Sequence, residues 1–495
     1  MAKRSLLGIA IVAFLLLVSA SLVRPYGWFI DELYYLACAR RLAFGYVDHP
    51  PLSIFLLAVV RAVAGDSLVA VRALAALVFA GNVFLVGALA HELGGSAAAQ
   101  RIAAVSFVTG TGFLVMGSFY SMNVLELVAW TAIALLLARA LRQPTTKRFL
   151  VLGVVIGLAL SNKHTSATFV AALVAGIAAT KERRLLATPG PWIAAGCAVV
   201  VVLPNVLWQA TNDWPSIEFY RTAQALKNVY TPPLAAVAGQ ILLVGPVGFV
   251  LAAVGTVSGV RATDRRRVFA IAFALLFVVM ITSGSSRPDR IAGAYPIVFA
   301  TGAIATERFA IPWMTAAVVT ALPLLFIGLP LLPPEDAAAY AKRLGVVPQI
   351  EKKSGTGRLP QWLADRLGWE AYAERVGRTV AELPPEERDQ AVVITGDYGH
   401  AGALDLFGPR YGITRVISDH NNYWLWSRAV EDAPVLVAVD WSSERRLRER
   451  YEEVEAAGTF QCEWCLPSRT DLPIFVARHP RRRLAELWPS VKHFE

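Results

Sequence analysis

The stretch RPYGWFIDELYYLACARRLAFGYVDHPPL, residues 24–52, holds the features around which the chain is organised. It follows the first hydrophobic run and precedes the second. It carries an adjacent acid pair, Asp31 and Glu32, then several aromatics, then Asp48-His49-Pro50-Pro51. Carboxylates, an imidazole and rigid prolines directly beside an apolar span point to a reaction site at a bilayer surface. That reading depends on which side of the membrane the loop occupies.

The composition supports a membrane setting. Of the 495 residues, 56% are hydrophobic and only 17% are charged, and the mean hydropathy is +0.50. This is too apolar for a soluble enzyme and typical of a polytopic membrane protein. A net charge of +10 does not imply nucleic acid, because many of the Lys and Arg residues sit in short loops between apolar runs. There they act as orientation signals, with some attraction to anionic lipid. Lys3-Arg4 followed by an apolar run to Val23 resembles a signal peptide. Arg24-Pro25-Tyr26 is not a small-residue cleavage site, however, and more spans follow, so an uncleaved first helix is expected.

A span needs about 20 apolar residues. Candidate spans lie near 5–23, 67–90, 100–121, 123–141, 148–161, 164–180, 190–209, 234–258, 267–284, 291–307 and 310–331. With eleven spans, Lys3/Arg4, Arg101, Arg142/Lys147/Arg148, Lys181/Arg183/Arg184, Arg261/Arg265/Arg266/Arg267 and Arg308 all fall on one side, which the positive-inside rule makes cytoplasmic. The short pair 148–161 and 164–180, meeting at SNKHTS, reads as a hairpin, because merging it would move the KERR cluster to the outer face. The loop 24–66, the Tyr120–Asn123 turn, Lys163-His164, the loop 210–232 and residues 285–290 then open outward, as does everything after Leu332. Within the first loop, LYYLACARRLAF and LSIFLLAVVRAVAG have amphipathic helical character, with Arg40, Arg41 and Arg61 available to headgroups. Two helices along the outer membrane surface are expected, broken by Pro50-Pro51, with the acid pair just before the first.

After Leu332 no apolar run is long enough to cross. Residues 335–390 read as helical, and AVVIT, GITRVIS, PVLVAVDW and PIFVAR as short strands. The expected architecture is an α-helical polytopic domain over 1–332 and a soluble, extracytoplasmic α/β domain over 333–495. Of the four cysteines, Cys462 and Cys465 form CEWC. One such pair is a weak zinc signal, and outside the cytoplasm a local disulfide is the simpler reading.

Several side chains are candidates for chemistry. A carboxylate of the Asp31-Glu32 pair, partly desolvated by Trp28, Tyr34 and Tyr35, suits a general base acting on an acceptor hydroxyl. The same acids equally suit a helix cap. Asp48 and His49 fit a substrate contact, an acid/base group or a turn in which Asp48 caps the next helix. A hard divalent cation would take Asp31, Asp48 and His49, but no further ligand spacing supports one, so a metal is not favoured and no cofactor is expected. Asn123 and Glu126 share a helix face near the outer end of the fourth span, where an ionisable group faces a cavity or a partner helix. Lys163-His164 and Arg287 with Arg290, in SSRPDR, place cations away from the positive-inside side. They suit a lipid phosphate or snorkelling towards headgroups. GDYGHAGALDLFG, 396–408, follows a strand and opens a helix, but its spacing fits neither the dinucleotide nor the P-loop pattern. A structural strand–turn–helix with glycine-dependent geometry is expected there, with acceptor recognition as the alternative.

FIDELYYLACARRLAFGYVDHPPLSIFLLAVVRAV, SMNVLELVAW and LALSNKHTS resemble the bacterial protein-mannosyltransferase-like glycosyltransferases of GT-C fold, which include the aminoarabinose lipid A transferases. GDYGHAGALDLFGPRYG and HNNYWLW resemble the soluble tail of many bacterial members. The resemblance implies an inner-membrane, multi-pass glycosyltransferase that moves a hexosyl or pentosyl group, usually with inversion, from a polyprenyl-phosphate sugar donor. The acceptor would be a lipid, glycan or protein hydroxyl on the outer face. It gives Asp31 the part of the base and Lys163 a contact with the lipid phosphate. Many members carry an acid where this chain has Asn123. A flippase for lipid-linked sugars is the alternative, but such proteins tend to show repeats around a midplane site, and this sequence shows none. A membrane-anchored binding protein would leave the outer acids and cations unexplained.

Overall fold

The computed structural model describes residues 1–346, 351 and 356–495. The part of the expected helical stretch at 347–350 and 352–355 lies outside the described residues.

Apolar helices build the first two thirds of the chain. They are α1 (Lys3–Ala20), α4 (Leu68–Glu92), α5 (Ala97–Val108), α6 (Thr111–Gly117), α7 (Met122–Arg142), α8 (Thr146–Leu160), α9 (Ser166–Ala178), α10 (Pro189–Thr211), α12 (Pro233–Val244), α13 (Pro246–Arg261), α14 (Arg266–Thr282), α15 (Tyr295–Thr306) and α16 (Ala310–Gly328). Between them lie α2 (Ile30–Arg40), α3 (Leu52–Ala64) and α11 (Pro215–Leu226). Local signals set many boundaries. Ser67, Ser96 and Ser121 accept backbone N–H groups at the starts of α4, α5 and α7, and prolines open α10, α12 and α13.

Each expected span is met by helix, but two are broken. The chain bends by 69° between α5 and α6 and by 108° between α12 and α13. Gly245 takes φ +76 at the second break, and Pro246, with no N–H to give, starts a new helix. Among the described residues, five helical segments are long and apolar enough to cross a membrane, or seven if each bent pair is one span. The count of eleven separate spans therefore exceeds what length and composition alone support.

The loops segregate as charge placement predicts. At one end, Glu92 closes α4 against Arg142 at 3.2 Å, Arg265 at 3.4 Å and Arg139 at 3.9 Å. At the other end of α4, Arg72 meets Glu32. That end also gathers the first loop onto later ones, with Leu52 N donating to Ser161 O and Asn205 Nδ2 to Phe44 O.

The expectation of two surface helices holds for only one of them. In α3, Ser53, Ile54 and Leu57 are buried while Val59 and Val63 are exposed, as suits lipid contact. In α2, nine of the 11 residues are buried. It is apolar nearly all round and lies inside the protein rather than along the bilayer. Arg40 and Arg41 accordingly reach Asp405 of the C-terminal part, Arg40 through the backbone oxygen, and Arg40 also pairs with Asp66, instead of resting at headgroups. The acid pair sits in the first turn of α2, not before it.

The C-terminal part carries α17 (Pro334–Arg343), α18 (Gln361–Ala364), α19 (Trp369–Glu382) and α20 (Pro385–Arg388), followed by a five-stranded sheet of order β2-β1-β3-β5-β4. β1 (Ala391–Thr395), β2 (Val416–Ser418) and β3 (Val435–Val439) are parallel, and β5 (Asp471–Pro480) and β4 (Tyr451–Gln461) are antiparallel. β4 is absent from the sequence reading because exposed Glu452, Glu453 and Glu455 disguise it, as befits a charged edge strand. Cys462 and Cys465 form a disulfide.

The helix α21 (Tyr398–Phe407) joins β1 to β2 and packs on α2. A Cβ on Gly402 would lie 2.8 Å from the Leu33 carbonyl carbon, and one on Gly399 would lie 2.2 Å from Ile30 Cγ1. These two glycines let the helices approach to backbone contact, which accounts for the glycine spacing of residues 396–408. Gly402→Val should weaken this docking by about 1–3 kcal/mol through overpacking against a backbone that cannot yield. A lower thermal midpoint should show it. Gly81→Ala, with open space around its Cβ, should leave the midpoint unchanged or raise it.

Candidate active site

The adjacent acids of α2 have opposite surroundings. Glu32 is fully buried, and both its oxygens are occupied. Oε2 accepts Phe29 N–H at 2.8 Å and Arg72 Nη2 at 3.1 Å, while Oε1 accepts Tyr120 N–H at 2.9 Å and Arg72 Nε at 3.3 Å. The expectation that Glu32 shares a catalytic role gives way to a structural one, since a carboxylate so engaged has no face left for substrate. Asp31 is half-buried, and the Tyr398 hydroxyl donates to its Oδ1 at 3.0 Å. Burial pushes the Asp31 carboxyl up to about 7. The Tyr398 bond opposes that shift, and the charges of Asp365, Asp48 and Glu351 add to it.

Asp31 opens on a cavity of about 520 Å³ between the helical and C-terminal parts. Thr111, Gly112, Val115 and Met116 from the α6 segment, Ala236 and Leu243 from α12, Met280 from α14 and Ile327 from α16 make one wall apolar. Lys227 and Arg287 supply cations. Arg287 is paired with Asp289 through two contacts at 3.0 Å and lies 3.9 Å from Glu351. Lys227 has no carboxylate within ion-pair distance among the described residues, and its Nζ lies 5.9 Å from the centre of the Tyr398 ring. The opposite wall comes from the C-terminal part and includes Asp365, Asp397, Tyr398, His420, Asp440 and Arg469. Asp365 and Arg469 form an ion pair at 2.5 Å.

Of the residues singled out by sequence, Asp31, Asn123 and Arg287 line this cavity. Lys163 lies behind the wall, where its Nζ donates to Glu126 Oε2 at 2.7 Å and Asn123 Oδ1 at 2.8 Å. Thr165 also donates to Glu126. Asn123, Glu126 and Lys163 thus form one closed interhelical cluster. Asp48 does not cap α3, whose start has no side-chain cap; it accepts the Tyr34 hydroxyl at 2.9 Å. His49 is buried among Tyr34, Tyr35 and Tyr46. His164 lies against Asn205 and Tyr220, 3.1 and 3.3 Å away, and Arg290 is exposed. Asp31, Asp48 and His49 are not brought together as a three-ligand group for a metal.

Sequence reading missed Lys227 and, in the wall contributed by the C-terminal part, Asp365, Asp440 and Arg469. Lys227 had no local signal in its loop, whereas GDYGH did mark Asp397 and Tyr398. His420, His493 and Glu495 are close enough to share one cation. The fit is poor, however. Tyr398 N–H points at His420 Nδ1 at 3.3 Å, which leaves the ring proton on Nε2, facing Glu495 O at 3.1 Å. A cation at Nε2 would have to displace that proton.

Residues 48–208 match the family model described as dolichyl-phosphate-mannose-protein mannosyltransferase. No curated protein matches the sequence. Among solved structures, ArnT from Cupriavidus metallidurans in the apo state has a TM-score of 0.59 at 12% identity, covering 94% of this chain and 97% of that one. ArnT bound to undecaprenyl phosphate has a TM-score of 0.60 at 14% identity, with the same coverage. Archaeal oligosaccharyltransferase AglB from Archaeoglobus fulgidus, in complex with an inhibitory peptide and a dolichol-phosphate, has a TM-score of 0.51 at 10% identity, covering 88% and 69%. The fold is thus that of a GT-C polytopic membrane protein. The family match adds a likeness of residues 48–208 to the dolichyl-phosphate-mannose-protein mannosyltransferases.

The Glu32–Arg72 pair yields a direct test. Arg72→Met should leave a buried carboxylate without its counter-charge and cost about 3–5 kcal/mol, read as a fall in thermal midpoint and in folded yield. Arg290→Met, at an exposed position, should leave both unchanged.

Proposed function

We infer that this protein transfers a sugar from a polyprenyl-phosphate donor to an acceptor hydroxyl, at the extracytoplasmic face of the cytoplasmic membrane, with Asp31 as the general base. The observation that carries this reading is the single cavity in which Asp31 meets cations and an apolar wall. An isoprenoid tail suits the wall of α6, α12, α14 and α16, and the phosphate suits Lys227 and Arg287. ArnT bound to undecaprenyl phosphate and AglB in complex with a dolichol-phosphate share the fold and support a donor of this class. Basic loops gathered at the Glu92 end support placing the cavity end outside.

The acceptor O–H gives its proton to the Asp31 carboxylate as its oxygen bonds to the anomeric carbon. The bond from that carbon to the donor phosphate breaks, and the phosphate leaves with the electron pair. It departs already charged, so it needs cations rather than an acid. Attack from the face opposite the phosphate inverts the anomeric centre. The Tyr398 hydroxyl holds the base in position through its bond to Oδ1.

Labelled polyprenyl-phosphate sugars supplied to membranes test this reading. Asp31→Asn should lower transfer by about 10²–10⁴-fold, the usual share of a general base, and undiminished transfer would remove Asp31 from the role. The base works deprotonated, so transfer should rise with pH up to about 7 and level off above it. The Tyr398 bond favours the charged carboxylate, so Tyr398→Phe should move this limb to higher pH.

A further inference from the structure

The C-terminal sheet places a second group of side chains in the cavity. From β1 the chain crosses through α21 to β2 on one side, and then returns through α22 (Asn421–Ser427) to β3 on the other side of β1. β1 and β3 are therefore neighbours whose following connections diverge. In open α/β sheets that point leaves a crevice outside the carboxyl ends of the strands, where ligands bind. Here the two strand ends are in backbone contact, since a Cβ on Gly396 would lie 2.1 Å from Asp440 O. Residues just beyond the parallel strands line the cavity: Gly396, Asp397, Tyr398 and His400 after β1, His420 after β2, and Asp440 after β3.

These side chains present hydrogen-bonding groups. Asp397 caps α21 through Oδ1, which accepts N–H from Gly399 and His400, while its Oδ2 takes no hydrogen bond among the described residues. His400 is 2% exposed, and its Nδ1 has no hydrogen-bond partner. Burial holds His400 and His420 well below the usual imidazole range, at about 4 and about 3, so both rings are neutral at pH 7. Among the described lining residues of this wall Arg469 is the one cation, and it is paired with Asp365. Among the described residues the crevice therefore offers carboxylate oxygens rather than an unpaired cation, which suits hydroxyl groups and disfavours phosphate. The Tyr398 hydroxyl connects it to Asp31, and Lys227 and Arg287 belong to the other wall.

We propose that this crevice, formed by Asp397, Tyr398, His400, His420 and Asp440, is the acceptor subsite and takes a hydroxyl-rich carbohydrate. The inference rests on the proposed transfer reaction for the word acceptor and on the crevice alone for the binding. Asp397 Oδ2, outside the helix cap, can accept a hydroxyl of a sugar ring. The Tyr398 hydroxyl, bonded to Asp31, brings the reactive O–H of that sugar next to the carboxylate.

The test uses the full chain in lipid nanodiscs and two probes. Methyl hexosides and methyl pentosides report on the crevice by saturation-transfer NMR, and fluorescent farnesyl phosphate reports on the apolar, cationic wall. The variant is Asp397→Asn with Asp440→Asn. Asn still caps a helix and tolerates the φ of +50 at position 440. Loss of hydrogen bonds to two charged acceptors should weaken glycoside binding about tenfold or more, with farnesyl phosphate binding unchanged. If the double variant also loses farnesyl phosphate, the two single variants replace it and are read the same way. Glycoside binding that depends on Asp397 and Asp440 upholds the subsite even in a protein that transfers no sugar. A wild type that binds no glycoside overturns it. So do variants that keep farnesyl phosphate and bind glycoside as the wild type does, and that result leaves an Asp31-dependent transfer standing.

Discussion

Arg72 of α4 and Glu32 of α2 meet inside the protein with 1% and 0% of their side chains exposed, and the same carboxylate takes the N–H groups of Phe29 and Tyr120. Charges removed from water this completely persist only when paired and hydrogen-bonded. Here both Glu32 oxygens and Arg72 Nε and Nη2 are engaged, and only Arg72 Nη1 has no partner among the described residues. The network therefore fixes the first turn of α2 against two other segments of the helical part. Successive residues on a helix point about 100° apart, so holding Glu32 inward turns Asp31 to another face, where the cavity lies. The inward, engaged Glu32 thus leaves Asp31 at the cavity.

The transmembrane character and its alternation were legible in the sequence. Apolar runs marked the helices, and basic loops predicted which ends gather together, as Glu92 with Arg139, Arg142 and Arg265 shows. Breaks inside the spans were harder to see, because Gly245-Pro246 sits in an otherwise continuous apolar run. The placement of α2 was misread for a physical reason. Its arginines suggested headgroups, but a helix with Leu33, Tyr34, Tyr35 and Leu36 in succession has no face to give to water, and a second layer of protein covers it.

The site was less legible than the fold. Asp31 announced itself through its aromatic, span-end setting. Lys163 looked like a phosphate ligand because a cation at that depth needs a reason. The reason the structure supplies is Glu126, three residues beyond Asn123 on the same helix face. Lys227 carried no such local reason, and the GDYGH stretch marked Tyr398 without tying it to Asp31. They reach the cavity only through tertiary assembly, and Tyr398 lies 367 positions from the acid it bonds.

That long-range contact bears on the chemistry. A carboxylate at a membrane surface, open to water, titrates near 4 and is a weak base. The C-terminal part roofs Asp31, removes water from it and sets Asp365 and Glu351 near it, which together carry its pKa to about 7. In the proposed role, a carboxylate so tuned is about half deprotonated at neutral pH, yet takes a proton far more readily than an open one. Tyr398 restrains the shift from the same side, so the domain that strengthens the base also limits it. On the proposed reading, the basicity of Asp31 belongs to neither part of the chain alone. It arises at their interface, and so the soluble domain takes part in the chemistry.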